Sequence, residues 1–131
     1  MPRFKSTALP AATLAALLLA TAGISQAHEV EKGPNGGPMI TTGDNHLELV
    51  TKGAEIHVFL SDKKHEPIAS NGGSGRAIVQ SGGKTTTITL TPAEGGRLIG
   101  KAEGSVAAGT RVVVTATVPG RPGMQGRFVV K

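Results

Sequence analysis

Four histidines, His28, His46, His57 and His65, are the residues of this 131-residue chain best suited to chemistry. There is no cysteine, tryptophan or tyrosine, which removes thiolate metal sites and cysteine nucleophiles. A metal ion would have to rely on imidazole, carboxylate, thioether or a terminal amine. His46 and His57 stand in NHLELVT (45–51) and EIHVFLS (55–61), two alternating segments on either side of Lys52-Gly53. A tight turn at Lys52-Gly53 sets Leu49 against Ile56, Glu48 against His57, Leu47 against Val58 and His46 against Phe59. Alternation then gathers His46, Glu48 and His57 on the face opposite Leu47, Leu49, Ile56 and Val58, with His46 diagonal to His57. Two imidazoles and a carboxylate on one rigid surface suit Cu(II), with Zn(II) or Ni(II) as alternatives. The plainer reading is the polar outer face of a hairpin with a Glu48–His57 cross-strand pair. His65, in SDKKHEP, reads as a solvated loop residue.

The place of His28 depends on where the exported chain begins. Residues 1–27 carry the marks of a secretory leader. Arg3 and Lys5 supply the positive start, Leu14 to Ala20 the apolar stretch, and Ser25 and Ala27 the small residues of a cleavage site. The apolar stretch is interrupted by Thr13, Thr21 and Ser25, too short for the ~20 residues of a spanning helix. Cleavage after Ala27 makes His28 the first residue and leaves no membrane span. A terminal histidine offers its amine and its imidazole Nδ1 as a chelate to one metal ion, at little cost in entropy.

The elements that would position these groups are strands. After residue 44 the chain alternates short β-branched segments with Gly- and Pro-rich joints: 45–51, 55–61, 75–80, 84–90, 97–103, 110–118 and 126–130. A short piece at Met39–Thr41 can be added. No helical periodicity shows outside the leader. About seven antiparallel strands in one small domain predict an immunoglobulin-like β-sandwich over 45–131, with a small open barrel as the alternative. Its core would hold Leu47, Leu49, Ile56, Val58, Ile78, Ile88, Leu90, Leu98, Val112, Val114, Phe128 and Val130. Residues 28–44 read as a flexible Gly/Pro-containing segment able to bring His28 back to the sheet. Within it GPNGGP (33–38) is a turn in which Pro34 presets the first bend and Asn35 or Gly36 tolerates positive φ. A backbone nest for an anion is a second reading of the same turn. Met39 and Met124 are either soft ligands for Cu(I) or core filler.

The stretches HEVEKGPNGGPM (28–39), NHLELV, GAEIHVFLSD, GGKTTTITLTPAEGGRLIGKA, GTRVVVTATVPG and GRFVV resemble a group of small secreted bacterial proteins of largely undefined function. The first part is also similar to a segment near the N-terminus of periplasmic adaptor subunits of heavy-metal efflux pumps. Those segments often carry histidine inside the Gly-Pro turn, where this chain has Asn35. The long helical hairpin and the barrel of an adaptor are missing. A looser similarity joins the chain to periplasmic copper-resistance proteins, which combine a sandwich with an N-terminal histidine ligand. The resemblance implies a periplasmic β-sandwich associated with metal efflux or tolerance.

The expected function is therefore a periplasmic metal-handling accessory for copper, with His28, His46, His57 and Glu48 as ligands and an efflux adaptor as partner. The alternative is a metal-free interaction module that docks on an adaptor or another envelope protein. An enzyme is not expected: no serine lies in a G-x-S-x-G elbow, and Gly72-Gly73-Ser74-Gly75 lacks the lysine of a phosphate loop. Formal charge is +5, two units of which belong to Arg3 and Lys5, and the remaining excess is scattered along the chain. With Phe59 and Phe128 the only aromatics after the leader, stacking on nucleic acid is not expected.

Overall fold

The computed structural model describes residues 30–131; the leader and His28 lie outside the described residues. Nine strands follow one another: β1 (Glu31–Lys32), β2 (Pro38–Thr42), β3 (Asn45–Lys52), β4 (Glu55–Asp62), β5 (Ser74–Ser81), β6 (Lys84–Ala93), β7 (Arg97–Lys101), β8 (Arg111–Thr117) and β9 (Met124–Val129). All pairings are antiparallel, in the order β1-β2-β3-β4-β7-β6-β5-β8-β9. The sheet curls until β9 lies against β2 and β3. Strand β6 passes through the bend, pairing with β5 over Lys84–Leu90 and with β7 over Thr91–Ala93. No helix occurs among the described residues, and none there is long and apolar enough to cross a membrane.

The all-β expectation holds. Seven of the strands coincide, within a few residues, with the alternating segments of the sequence, because each is bounded by a glycine or proline joint. An eighth, β2, contains the short piece read at Met39–Thr41, and β1 is the one addition. Residues 31–42, inside the stretch read as a flexible tether, form a β1–β2 hairpin that extends the sheet.

Period-two burial sets the core. Leu47, Leu49, Ile56, Val58, Leu98, Val112 and Val114 point inward and are essentially inaccessible to water. Met39 and Met124 are also buried, so both thioethers serve as filler. One core assignment is corrected. Ala77, not Ile78, faces inward on β5, and Ile78 stands half-buried on the outer face between Thr87 and Val113. In the run Ala77-Ile78-Val79 every side chain is apolar, so alternation could be read in either phase.

Candidate functional site

The hairpin that was to gather the ligands is shifted by two residues. Lys52 pairs with Glu55 across a Gly53-Ala54 turn, with Gly53 at φ 61°. A two-residue turn with positive φ at its first position takes glycine there, and a turn at Lys52-Gly53 would have forced Lys52 toward that conformation. Because the shift is two, faces survive and neighbours change. His46, Glu48 and His57 do share one face, but Glu48 lies opposite Phe59, His57 opposite Val50, and His46 opposite Ser61. His46 and His57 are thus separated by four residues of strand, about 13 Å. They cannot hold one ion.

His57 is engaged at both ring nitrogens. It is 5% exposed, and Arg97 Nη1 lies 3.4 Å from its Nδ1 while Glu55 Oε2 lies 3.1 Å from its Nε2. A guanidinium only donates, so Nδ1 accepts and Nε2–H donates to Glu55. The Nδ1 side of the ring therefore faces a cation. A metal ion would have to displace Arg97, whose guanidinium also covers the Phe59 ring at 5.8 Å.

Glu48 is engaged more completely. It lies mid-strand between Leu47 and Leu49, is 2% exposed, and no cation pairs with it among the described residues. Three N–H groups of the 33–37 loop meet it instead. Asn35 N donates to Oε2 at 2.9 Å and to Oε1 at 3.2 Å, Asn35 Nδ2 donates to Oε1 at 2.9 Å, and Gly37 N donates to Oε2 at 2.9 Å. The loop is closed on itself by Gly33 N to Gly37 O at 2.8 Å and Gly36 N to Gly33 O at 3.0 Å. Gly33 has to be glycine, since a Cβ there would run into the Glu48 side chain. The Gly-Pro turn is indeed a nest for an anion, and the anion is the protein's own Glu48.

Among the described residues, His46 and His65 form the one close pair of imidazoles. Their rings stack with centroids 4.5 Å apart and planes 4° apart, and Thr41 Oγ1 lies 3.1 Å from His46 Nδ1. His65 is exposed in the loop after β4, as read from the sequence, but hydrogen bonds order that loop. It sits at φ 63° in a five-residue turn closed by Asp62 N to Glu66 O and His65 N to Asp62 O, both 2.9 Å. An imidazole binds a metal through a lone pair in the ring plane, so two parallel rings present no common point until one turns. Among the described residues no three His, Asp or Glu side chains gather as a metal centre would need.

The turn that holds His65 depends on Asp62, whose Oδ1 accepts from Lys64 N at 2.8 Å and Glu66 N at 3.0 Å. The Glu66 amide is the chief cause that keeps this carboxyl below the usual carboxylate range; some loss of hydration opposes it, and the Lys64 amide and the Arg121 and Lys64 charges add to it. A depressed carboxylate contributes stability that is present above its unfolded value, near 4, and is lost as pH falls through its lower folded value. Asp62→Asn should therefore melt below wild type at neutral pH, and the gap should close as pH falls below about 4. A gap that persists unchanged in acid would remove Asp62 from this role.

Comparison of the chain with protein-family models, with curated proteins and with solved structures finds no match in any of the three.

Proposed function

We propose that the chain is an exported, non-catalytic binding module of the bacterial envelope that acts by docking on a protein partner. The observation that carries this reading is the use made of Glu48 and His57. Both are spent on holding the sheet and its first hairpin, one clamped by amides and the other pinned between Arg97 and Glu55. With them goes the convergent set of groups that metal chemistry or catalysis needs. In the same reading the leader is removed after Ala27, the product is periplasmic, and the curled sheet is an immunoglobulin-like sandwich. Its layers are β1–β4 with β7, and β5, β6, β8 and β9. A periplasmic efflux adaptor is the partner class that the sequence resemblance suggests.

Metal handling is the second reading, favoured by the His46–His65 stack. In the β1–β2 pairing, Glu31 faces Met39 and Lys32 faces Pro38, so the chain enters β1 from the end of the sheet that carries His46. Two residues span at most about 7 Å, which would let an exported chain starting at His28 add its terminal chelate there, with His65 in the place expected for His57.

One experiment separates the readings. The chain beginning at His28 is titrated with Cu(II), Zn(II) and Ni(II), beside the same chain carrying an extra N-terminal glycine and beside His46→Ala/His65→Ala. The docking reading expects no affinity tighter than about 10 μM, or about 7 kcal/mol, and no difference among the three proteins. Submicromolar binding that falls at least tenfold, about 1.4 kcal/mol, in both variants would overturn it in favour of a metal site.

A further inference from the structure

The positive charge that looks scattered in the sequence is collected in space. Residues 67–93 and 104–131 contain no aspartate or glutamate, but they hold Arg76, Lys84, Arg111, Arg121, Arg127 and Lys131. These stretches supply the whole of β5, β6, β8 and β9. Their pairings lay the outer face out as three rows across β6, β5, β8 and β9. The rows read Thr89–Arg76–Thr115–Gln125, Thr87–Ile78–Val113–Arg127, and Thr85–Gln80–Arg111–Val129. Arg76, Arg111 and Arg127 are exposed, and none forms an ion pair among the described residues. From strand spacing and rise, their Cα atoms make a triangle with sides of about 8–14 Å. Inside or beside it lie half-buried Ile78 and Val113, and Val129, which is 54% exposed. A shallow groove runs between Arg111 and Arg127 over Val113 and Val129.

We propose that this acid-free face is the docking surface, and that it takes a protein segment presenting carboxylates around a small apolar patch. The inference rests on the docking reading and names its surface and its partner. An apolar centre with arginines about it, lysine being absent from all three rows, is the composition of a protein interface. Guanidinium forks hold carboxylates bidentately, which a lysine cannot do. A second copy of the chain does not fit: two-fold pairing of this face would set six guanidiniums against one another. The rows contain no tryptophan, tyrosine or phenylalanine, which disfavours a lipid interface and stacked nucleobases alike.

The test is an NMR titration of the exported chain with an extended peptide of alternating glutamate and valine. Separate arms use vesicles of phosphatidylglycerol in phosphatidylcholine and an oligothymidylate. The peptide should shift amides of β5, β8 and β9, more weakly at high salt. Arg111→Gln with Arg127→Gln should raise its Kd at least tenfold. Lys52→Gln with Lys101→Gln, a charge-matched pair on the other half of the sheet, should change it less than twofold. Peptide shifts confined to another face would overturn this surface while leaving the docking reading in place. Binding of the vesicles or the oligonucleotide through these arginines, without the peptide, would overturn the protein partner. Silence in every arm would overturn the proposal, whereas only the metal titration above decides the reading beneath it.

Discussion

Replacing Glu48 by alanine should cost about 3 kcal/mol or more, the largest loss expected from any single polar side chain here. Hydrogen bonds to a charged group contribute about 1.5–3 kcal/mol each, and three donors converge on this carboxylate: Asn35 N, Asn35 Nδ2 and Gly37 N. Truncation leaves the buried Gly37 amide without its acceptor and frees the loop that ties β1–β2 to β3. The loss should show locally before it shows globally. Hydrogen exchange at residues 31–42 should rise well before that of β8, in proportion to the lost clamp. Asn35→Ala removes one of the three donors and should cost about 1 kcal/mol. Gly33→Ala forces a methyl into the Glu48 side chain and should open the same loop. If exchange of 31–42 in Glu48→Ala matched wild type, the clamp would have no structural role.

Val114→Asp should unfold the domain outright. Val114 is 0% exposed, in the inward row with Ala77 and Gly126. An unpaired carboxylate there costs several kcal/mol, against a total stability of about 5–15 kcal/mol for a domain of ordinary strength. Val113, its neighbour, points outward and is half-buried. Val113→Asp should cost about 1 kcal/mol, the span of strand propensity on a partly exposed face. Circular dichroism melts of the two variants decide the matter: comparable losses, or a larger loss at Val113, would mean the faces of β8 are inverted.

Most of the strands could be read from the chain because their limits are chemical. Gly82-Gly83, Gly95-Gly96 and Pro119-Gly120 end them wherever the backbone needs positive φ. Faces could be read where polar and apolar residues alternate, as in Leu47-Glu48-Leu49, and not in Ala77-Ile78-Val79, where they do not. The site was another matter. Its membership on one face was legible, but its geometry hung on which of two positions Gly53 takes in a two-residue turn. Every cross-strand neighbour follows from that choice. The clamp was signalled by a lone acid between two core leucines and by a glycine-rich turn upstream. Nothing in the local pattern says that the second folds over the first, because the contact joins residues 11 to 13 positions apart. The His46–His65 stack is equally nonlocal in origin, set by the turn that Asp62 closes. The acid-free face could have been found by counting acids segment by segment instead of over the whole chain.

Strand β6 has a part in both halves of the molecule, its first seven residues bonded to β5 and its last three to β7. Among the described residues no joint therefore exists at which one half could melt and leave the other with intact pairing. Losing β7 frays the end of the strand on which β5 depends, and losing β5 strips β7 of the support that aligns it with β4. Denaturation should be a single concerted transition in which fluorescence-free probes such as circular dichroism and amide exchange report the same midpoint for the central strands. A sheet joined in this way is one cooperative unit, and mechanical or chemical stress applied at either end of it is shared by the whole.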